Sequence, residues 1–377
     1  MRRLKTRRGA LVRQLALPAT AAVTLAAAAP SLAVPRYSAR YGQKCVLCHV
    51  NPSGGGMRTL YASQYIVPEE LAWSKPAPGI LSSIDPEIAK RIQIGADFRT
   101  LYSYSNEDTP ESRPDFFQMQ GDVYLNFQMD DALSLYYDQG ISSSYELFGM
   151  WQGLPLTSYV KVGRFVPAYG WRFDDHTLYT RDVLGFYPPA NSDVGIEFGL
   201  SPARLDIQLA VVNGNRGATF DDNRKLASVF SAVYRGDVGP LGWAAGVAGY
   251  WEDGDEVDFG SAGPYGYLTW NRLTWLGELD WFRDDPDGVG HTTGWVTSSE
   301  LTYLARQGCE VRATYDFFDP DWNLESGARW RAGGGVYILA KPFVAVEGLY
   351  RRTVYDDGVA LAGEDFWETL LQLHLLY

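Results

Sequence analysis

Cysteine, histidine and methionine are scarce here: three, four and five among 377 residues. A zinc site wants four nitrogen or sulfur ligands. Beyond residue 50 the remaining candidates, Cys309, His176, His291 and His374, are dispersed, so zinc is a poor reading. Positive charge is also short, with 33 Lys and Arg against 45 Asp and Glu. Six of the basic residues lie in residues 1–33, which hold no acid, and the rest of the chain carries about −18. Nucleic acid is thereby excluded as a partner. After residue 33 no run reaches the ~18 apolar residues of a membrane helix, so a membrane-spanning form must be a β-barrel.

What the first 33 residues do contain is six Arg and Lys ahead of an Ala-rich apolar stretch, ending in a small-x-small cleavage pattern near Ala33. This predicts an export signal over 1–33, of the ordinary unfolded-export kind. From residue 89 onward the pattern is that of strands separated by Gly, Pro, Asn and Asp clusters. In 118–129, Met119, Val123, Leu125, Phe127 and Met129 share one face against Gln118, Gln120, Asp122, Asn126 and Gln128. Runs of this kind recur at 92–104, 132–141, 143–151, 156–166, 192–201, 204–213, 225–237, 241–252, 260–270, 273–284, 292–305, 309–318, 325–339, 343–353 and 364–377. The count is sixteen, with 14 and 18 as the neighbouring even numbers that a closed bacterial barrel permits. The 24 Tyr and 12 Trp suit aromatic girdles at two membrane interfaces. The final strand places Leu371, Leu373, Leu375 and Tyr377 on one face, resembling the terminal strand of outer-membrane barrels. The expected fold is therefore an all-β transmembrane barrel in the outer membrane, surrounded by lipid.

Ahead of it lies "YGQKCVLCHVNPSGGGMRTLY", residues 41–61. Cys45, Cys48 and His49 form C-x-x-C-H, the attachment pattern of c-type haem: two thiols on one turn reach the porphyrin vinyl groups, and the adjacent imidazole is the proximal iron ligand. A structural disulfide and a thioredoxin-like redox pair are the bland alternatives, but the redox pair belongs in a βαβ unit and none is near. The expected cofactor is one covalent haem c on a small α-helical segment, residues 34–88, with Tyr37, Tyr41, Leu47, Leu60, Tyr61, Tyr65, Ile66 and Trp73 as apolar walls. A segment of this size can plug the lumen of a barrel over 89–377 or sit below its periplasmic mouth.

With the export signal, "CVLCH" and the strands ending at Tyr377, the chain resembles the fused outer-membrane monohaem cytochrome-porins, such as the iron-oxidising outer-membrane cytochromes. A shorter stretch, "YVKVGRFVPAYGWRFDDHT", is similar to an early-strand segment of phosphate-selective-type porins. The first resemblance implies electron transfer between an extracellular donor or acceptor, most plausibly Fe(II), and a periplasmic cytochrome or other carrier. The alternatives are a diffusion porin with a haem-bearing gate or sensor, and a haem peroxidase-like enzyme, which needs an open sixth site.

Met57 is the first candidate for the sixth ligand, since three glycines before it allow a tight return over the haem. The spacing of Met57, Leu60, Tyr61 and Gln64 also fits one face of a short helix, in which case Met57 merely packs. His176, in the long connection 167–191, is the alternative ligand, and an open site is the third reading. His291 and His374 read as structural, and Cys309 as a small lipid-facing residue. Three acidic runs, Glu252 to Asp258, Asp284 to Asp287 and Asp316 to Asp321, read either as a cation-concentrating surface or as solvated loops.

Overall fold

The computed structural model describes residues 35–377 apart from 78, 84, 89, 107–113, 142–144, 187–191, 215–224, 255–256, 287–289, 325–326 and 357–364. The export signal over 1–33 lies outside the described residues. Sixteen antiparallel strands follow one another around a closed barrel: Ile92–Ser105, Asp115–Gln128, Leu133–Gly140, Tyr145–Leu154, Ser158–Phe165, Asp193–Leu200, Leu205–Val212, Ala227–Val238, Leu241–Glu252, Val257–Trp270, Leu273–Pro286, Thr292–Arg306, Cys309–Asp319, Arg329–Lys341, Val344–Tyr355 and Phe366–Leu376. The last pairs with the first, Leu373 opposite Thr100 and His374 opposite Arg99, so no edge is left for lipid to meet. A two-residue strand, Glu87–Ile88, doubles back on the start of the first.

Alternation decides what each face does. In the second strand Val123, Leu125 and Phe127 are exposed outward, while Asp122, Tyr124 and Asn126 are buried inward. The final strand repeats this, with Leu371, Leu373 and Leu375 outside and Gln372 and His374 inside. Outward aromatics gather at both rims: Tyr234, Trp270, Trp275 and Tyr303 near the short turns, Trp251, Trp281, Trp330 and Tyr350 near the long connections. Such paired girdles bracket the hydrocarbon of a bilayer. Turns of two residues, such as 271–272 and 307–308, and the C-terminus share one end, which by the pattern of bacterial barrels is the periplasmic one.

The core of the molecule is its lumen. Two segments fill it: residues 35–75 from the periplasmic side, and the connection 166–186, carrying the short helix Tyr179–Leu184, from the other. Both are tied to inward-facing charges of the wall. Arg36 lies 2.8 Å from Glu310 and 3.6 Å from Asp174. Lys44 lies 3.1 Å from Asp206 and donates to the Ser201 carbonyl at 2.7 Å. Asp175 of the inward connection pairs with Arg351 at 3.1 Å. Buried ions are tolerated only when paired like this, and removing one partner strands the other at a cost of about 3–5 kcal/mol.

Burial corrects the reading of the acidic runs. Asp316 is wholly buried and paired with Arg331 at 2.8 Å, and Glu252 is buried and accepts from the Tyr250 hydroxyl at 2.9 Å. Strand alternation turns both inward. Asp253 pairs with Lys225 at 2.6 Å and Asp285 with Arg283 at 2.7 Å, while Asp255, Glu256 and Asp287 lie outside the described residues. Asp258 and Asp285, from two of the runs, stand opposite each other on neighbouring strands.

Candidate functional site

The C-x-x-C-H segment is short and locally specified. Lys44 is extended, and one helical turn, Cys45–Cys48, follows, closed by the His49 amide donating to the Cys45 carbonyl at 2.9 Å. That turn brings the two thiols and the imidazole together. Asn51 then starts a reversal: its carbonyl accepts from the Gly54 amide at 2.9 Å, and its side chain from the Ser53 hydroxyl at 2.8 Å. Gly54, Gly55 and Gly56 continue with φ of +91°, +77° and +62°, a left-handed path that side-chain-bearing residues rarely take. The chain comes back alongside itself, the Val50 amide donating to the Met57 carbonyl at 3.0 Å and the Thr59 amide to the Cys48 carbonyl at 3.0 Å.

Two cations clamp the reversal. Lys161 of the fifth strand donates to Asn51 at 3.1 Å, and Arg172 of the inward connection donates to the Gly54 carbonyl at 2.6 Å. A methyl group on Gly56 would collide with the Tyr136 hydroxyl, which itself receives the Met57 amide at 3.1 Å. Gly56→Ala therefore combines a clash with an unfavourable φ. It is expected to loosen the reversal, read as severalfold faster proteolytic cleavage within residues 45–59, while heat-modifiable migration of the barrel is kept.

Between the haem-type segment and the inward connection lies a cavity of about 220 Å³. Cys45, Cys48 and His49 line it from below, Trp171 and His176 from above, and His374 from the wall. Both thiols are free, which leaves the disulfide reading without support in this structure. Burial pushes the Cys48 thiol up to about 11 and raises Cys45 as well. Among the described residues no group of three or more His, Cys, Asp and Glu could hold a metal ion. Burial, and after it the Arg58 guanidinium, brings the His49 imidazole down to about 4, so the ring is neutral at physiological pH. Its Nδ1 is buried without a hydrogen-bond partner. A neutral imidazole and two free thiols beside a cavity fit a c-type haem.

The other sequence candidates are distributed unevenly. The helix that was to carry Met57 begins only at Leu60 and continues as the wide turns of Ala62–Leu71, with Ala72 donating to the Val67 carbonyl five residues back. Met57 precedes it, buried against Tyr124 and Tyr136 in the lumen core and not in the cavity wall. Of the eight predicted apolar walls only Tyr37 and Ile66 line the cavity, while Leu47, Tyr61, Tyr65 and Trp73 are exposed. The missing walls come from the barrel and the inward connection, among them Tyr124, Tyr169, Phe173, Tyr265 and Leu339. Cys309 lies on the outward side of its strand, and His291 is exposed at a strand's edge.

No family model matches the chain, and no curated protein matches it. Solved structures do. OmpT of Vibrio cholerae superposes with a TM-score of 0.57 at 11% identity, over 76% of this chain and 97% of its own. An anion-selective porin from Comamonas acidovorans gives 0.56 at 13% identity, over 76% and 99%. The chain has the fold of an outer-membrane porin barrel. The shared portion is about the fraction that the barrel itself occupies, and at such identities the likeness is one of architecture.

Proposed function

We propose that this barrel carries electrons across the outer membrane through one covalent haem c held inside its lumen. The observation that carries the reading is the C-x-x-C-H segment inside a porin-type barrel, with Cys45, Cys48 and His49 lining a cavity that the inward connection lines from the other side. Bound there, haem c would supply a one-electron couple. Cys45 and Cys48 would tether it, and the His49 nitrogen would bind its iron. Tyr124, Tyr169, Trp171 and Phe173 would keep water away, and the lipid-facing wall would insulate the whole. From Tyr169 a packed aromatic column leads toward the outer rim: Phe186 at 4.4 Å between ring centroids, then Tyr250 at 5.2 Å and Phe259 at 6.0 Å. The periplasmic partner would be a small electron carrier, and the extracellular one Fe(II) or another redox partner.

The fold likeness taken alone favours a second reading, a diffusion porin whose haem-bearing segment serves as gate or sensor. An open lumen is what diffusion requires, and here the lumen is filled by two segments held through buried ion pairs.

Stopped-flow mixing of the oxidised protein in liposomes with external Fe(II) tests the donor. Reduction of the haem within the turnover range of an electron carrier is expected. A haem that stays oxidised under Fe(II), but is reduced readily from the periplasmic side, sinks the iron-oxidising version and leaves an outward conduit.

A further inference from the structure

The sequence pattern makes His374 a structural residue on the polar face of the last strand, and the structure gives it a carboxylate partner and a place in the cavity wall. It projects inward from the final strand, 5% exposed, and lines the same cavity as Cys45, Cys48 and His49. Its Nε2 lies 2.8 Å from Asp97 Oδ1, across the seam where the last strand meets the first. Its Nδ1 is buried and has no hydrogen-bond partner.

The chemistry of that pairing is specific. An imidazole that gives one N–H to a carboxylate is fixed in the tautomer whose other nitrogen carries the lone pair, and the carboxylate makes that nitrogen more basic. A buried acceptor left unmatched is costly, and a ligand that takes its lone pair relieves that cost. Arg99, paired with His374 across the strands, gives its guanidinium to Asp174 at 3.0 Å, to the Asp174 carbonyl at 2.9 Å and to the same Asp97 Oδ1 at 3.4 Å. Among the other candidates, Met57 is not in the cavity wall, and His176 lines the cavity but has contacts of its own.

Resting on the reading that Cys45, Cys48 and His49 hold haem c, we propose that His374, oriented by Asp97, is the second axial ligand of that haem. The iron would then be held between the N-terminal segment and the strand that closes the barrel, so that haem binding and barrel closure stabilise each other. Two imidazoles, one hydrogen-bonded to a carboxylate, set a lower potential than an imidazole with a thioether.

Spectra of the full-length protein in detergent, oxidised and reduced, test this. The wild type is expected to be six-coordinate and low-spin in both states, without a thioether-to-iron band, and its ferrous form should not bind carbon monoxide. His374→Ala should keep its covalent haem but become high-spin and bind carbon monoxide when reduced, and added imidazole should restore the low-spin spectrum. Met57→Ala and His176→Ala should leave the wild-type spectrum unchanged. An unchanged spectrum in His374→Ala, or an opened iron in either of the other two, overturns the assignment while the haem reading stands. A wild type without covalent haem overturns both. Asp97→Asn covers the case in which His374→Ala does not assemble: it should stay six-coordinate with a raised midpoint potential, and an unchanged potential overturns the assignment.

Discussion

Replacing both thiols, Cys45→Ser with Cys48→Ser, is expected to remove covalent haem from the protein completely. Denatured protein should lose its haem stain, and the absorption of the purified protein should lose its haem bands. The effect is all or none because covalent attachment in a C-x-x-C-H segment runs through those two sulfurs. The only other thiol, Cys309, is on the outward side of the barrel wall and cannot substitute. The barrel should persist: its sixteen strands are hydrogen-bonded to one another, and the segment's anchoring ion pairs, Arg36 with Glu310 and Lys44 with Asp206, do not involve the thiols. Retained haem stain in the double variant would sink the attachment assignment. Loss of heat-modifiable migration would show instead that the thiols serve the fold.

The second large effect concerns the lumen. A chain lacking residues 35–75 is expected to insert as a barrel and to conduct ions at least tenfold better than the full chain in planar bilayers. The segment fills the periplasmic half of a lumen that a wall of about 16 strands otherwise leaves as an aqueous channel. Its removal also leaves Glu310 without Arg36 and Arg40, while Glu300 and Asp206 keep Arg312 and Arg235 of the wall. The opened channel should therefore favour cations at low salt, with the preference fading as salt screens the carboxylates. Equal conductance in the two forms would mean that the segment does not close the lumen. It would favour the diffusion-porin reading.

Much of this architecture was legible in the chain. All sixteen strands fall where alternation puts them, because lipid and lumen impose opposite demands on successive side chains, and strand ends move by only a few residues. The C-x-x-C-H motif was legible for a related reason: its two thiols and its imidazole are adjacent in sequence, so no tertiary knowledge is needed to bring them together. The rest of the site was not, because it is assembled from elements far apart in sequence. His374 reads as one more polar residue on a lumen face, and only the closing seam sets it against Asp97. Arg172 and Lys161, which clamp the glycine reversal, reach it from the inward connection and the fifth strand. Helical spacing misplaced Met57, because the glycines lead into an extended return that ends before the helix begins. Of the acids counted as surface charge, Asp316 and Glu252 are strand residues turned inward, Asp316 to Arg331 and Glu252 to the Tyr250 hydroxyl.

Electron transfer across a sealed membrane tests the central claim most directly. Liposomes containing the full-length protein and a trapped oxidised cytochrome receive a reductant that cannot cross the bilayer, and reduction of the trapped cytochrome is followed by its absorption. The account predicts reduction in proportion to the protein inserted, abolished by Cys45→Ser with Cys48→Ser. Reduction that is absent, or equally fast in that double variant, would contradict it.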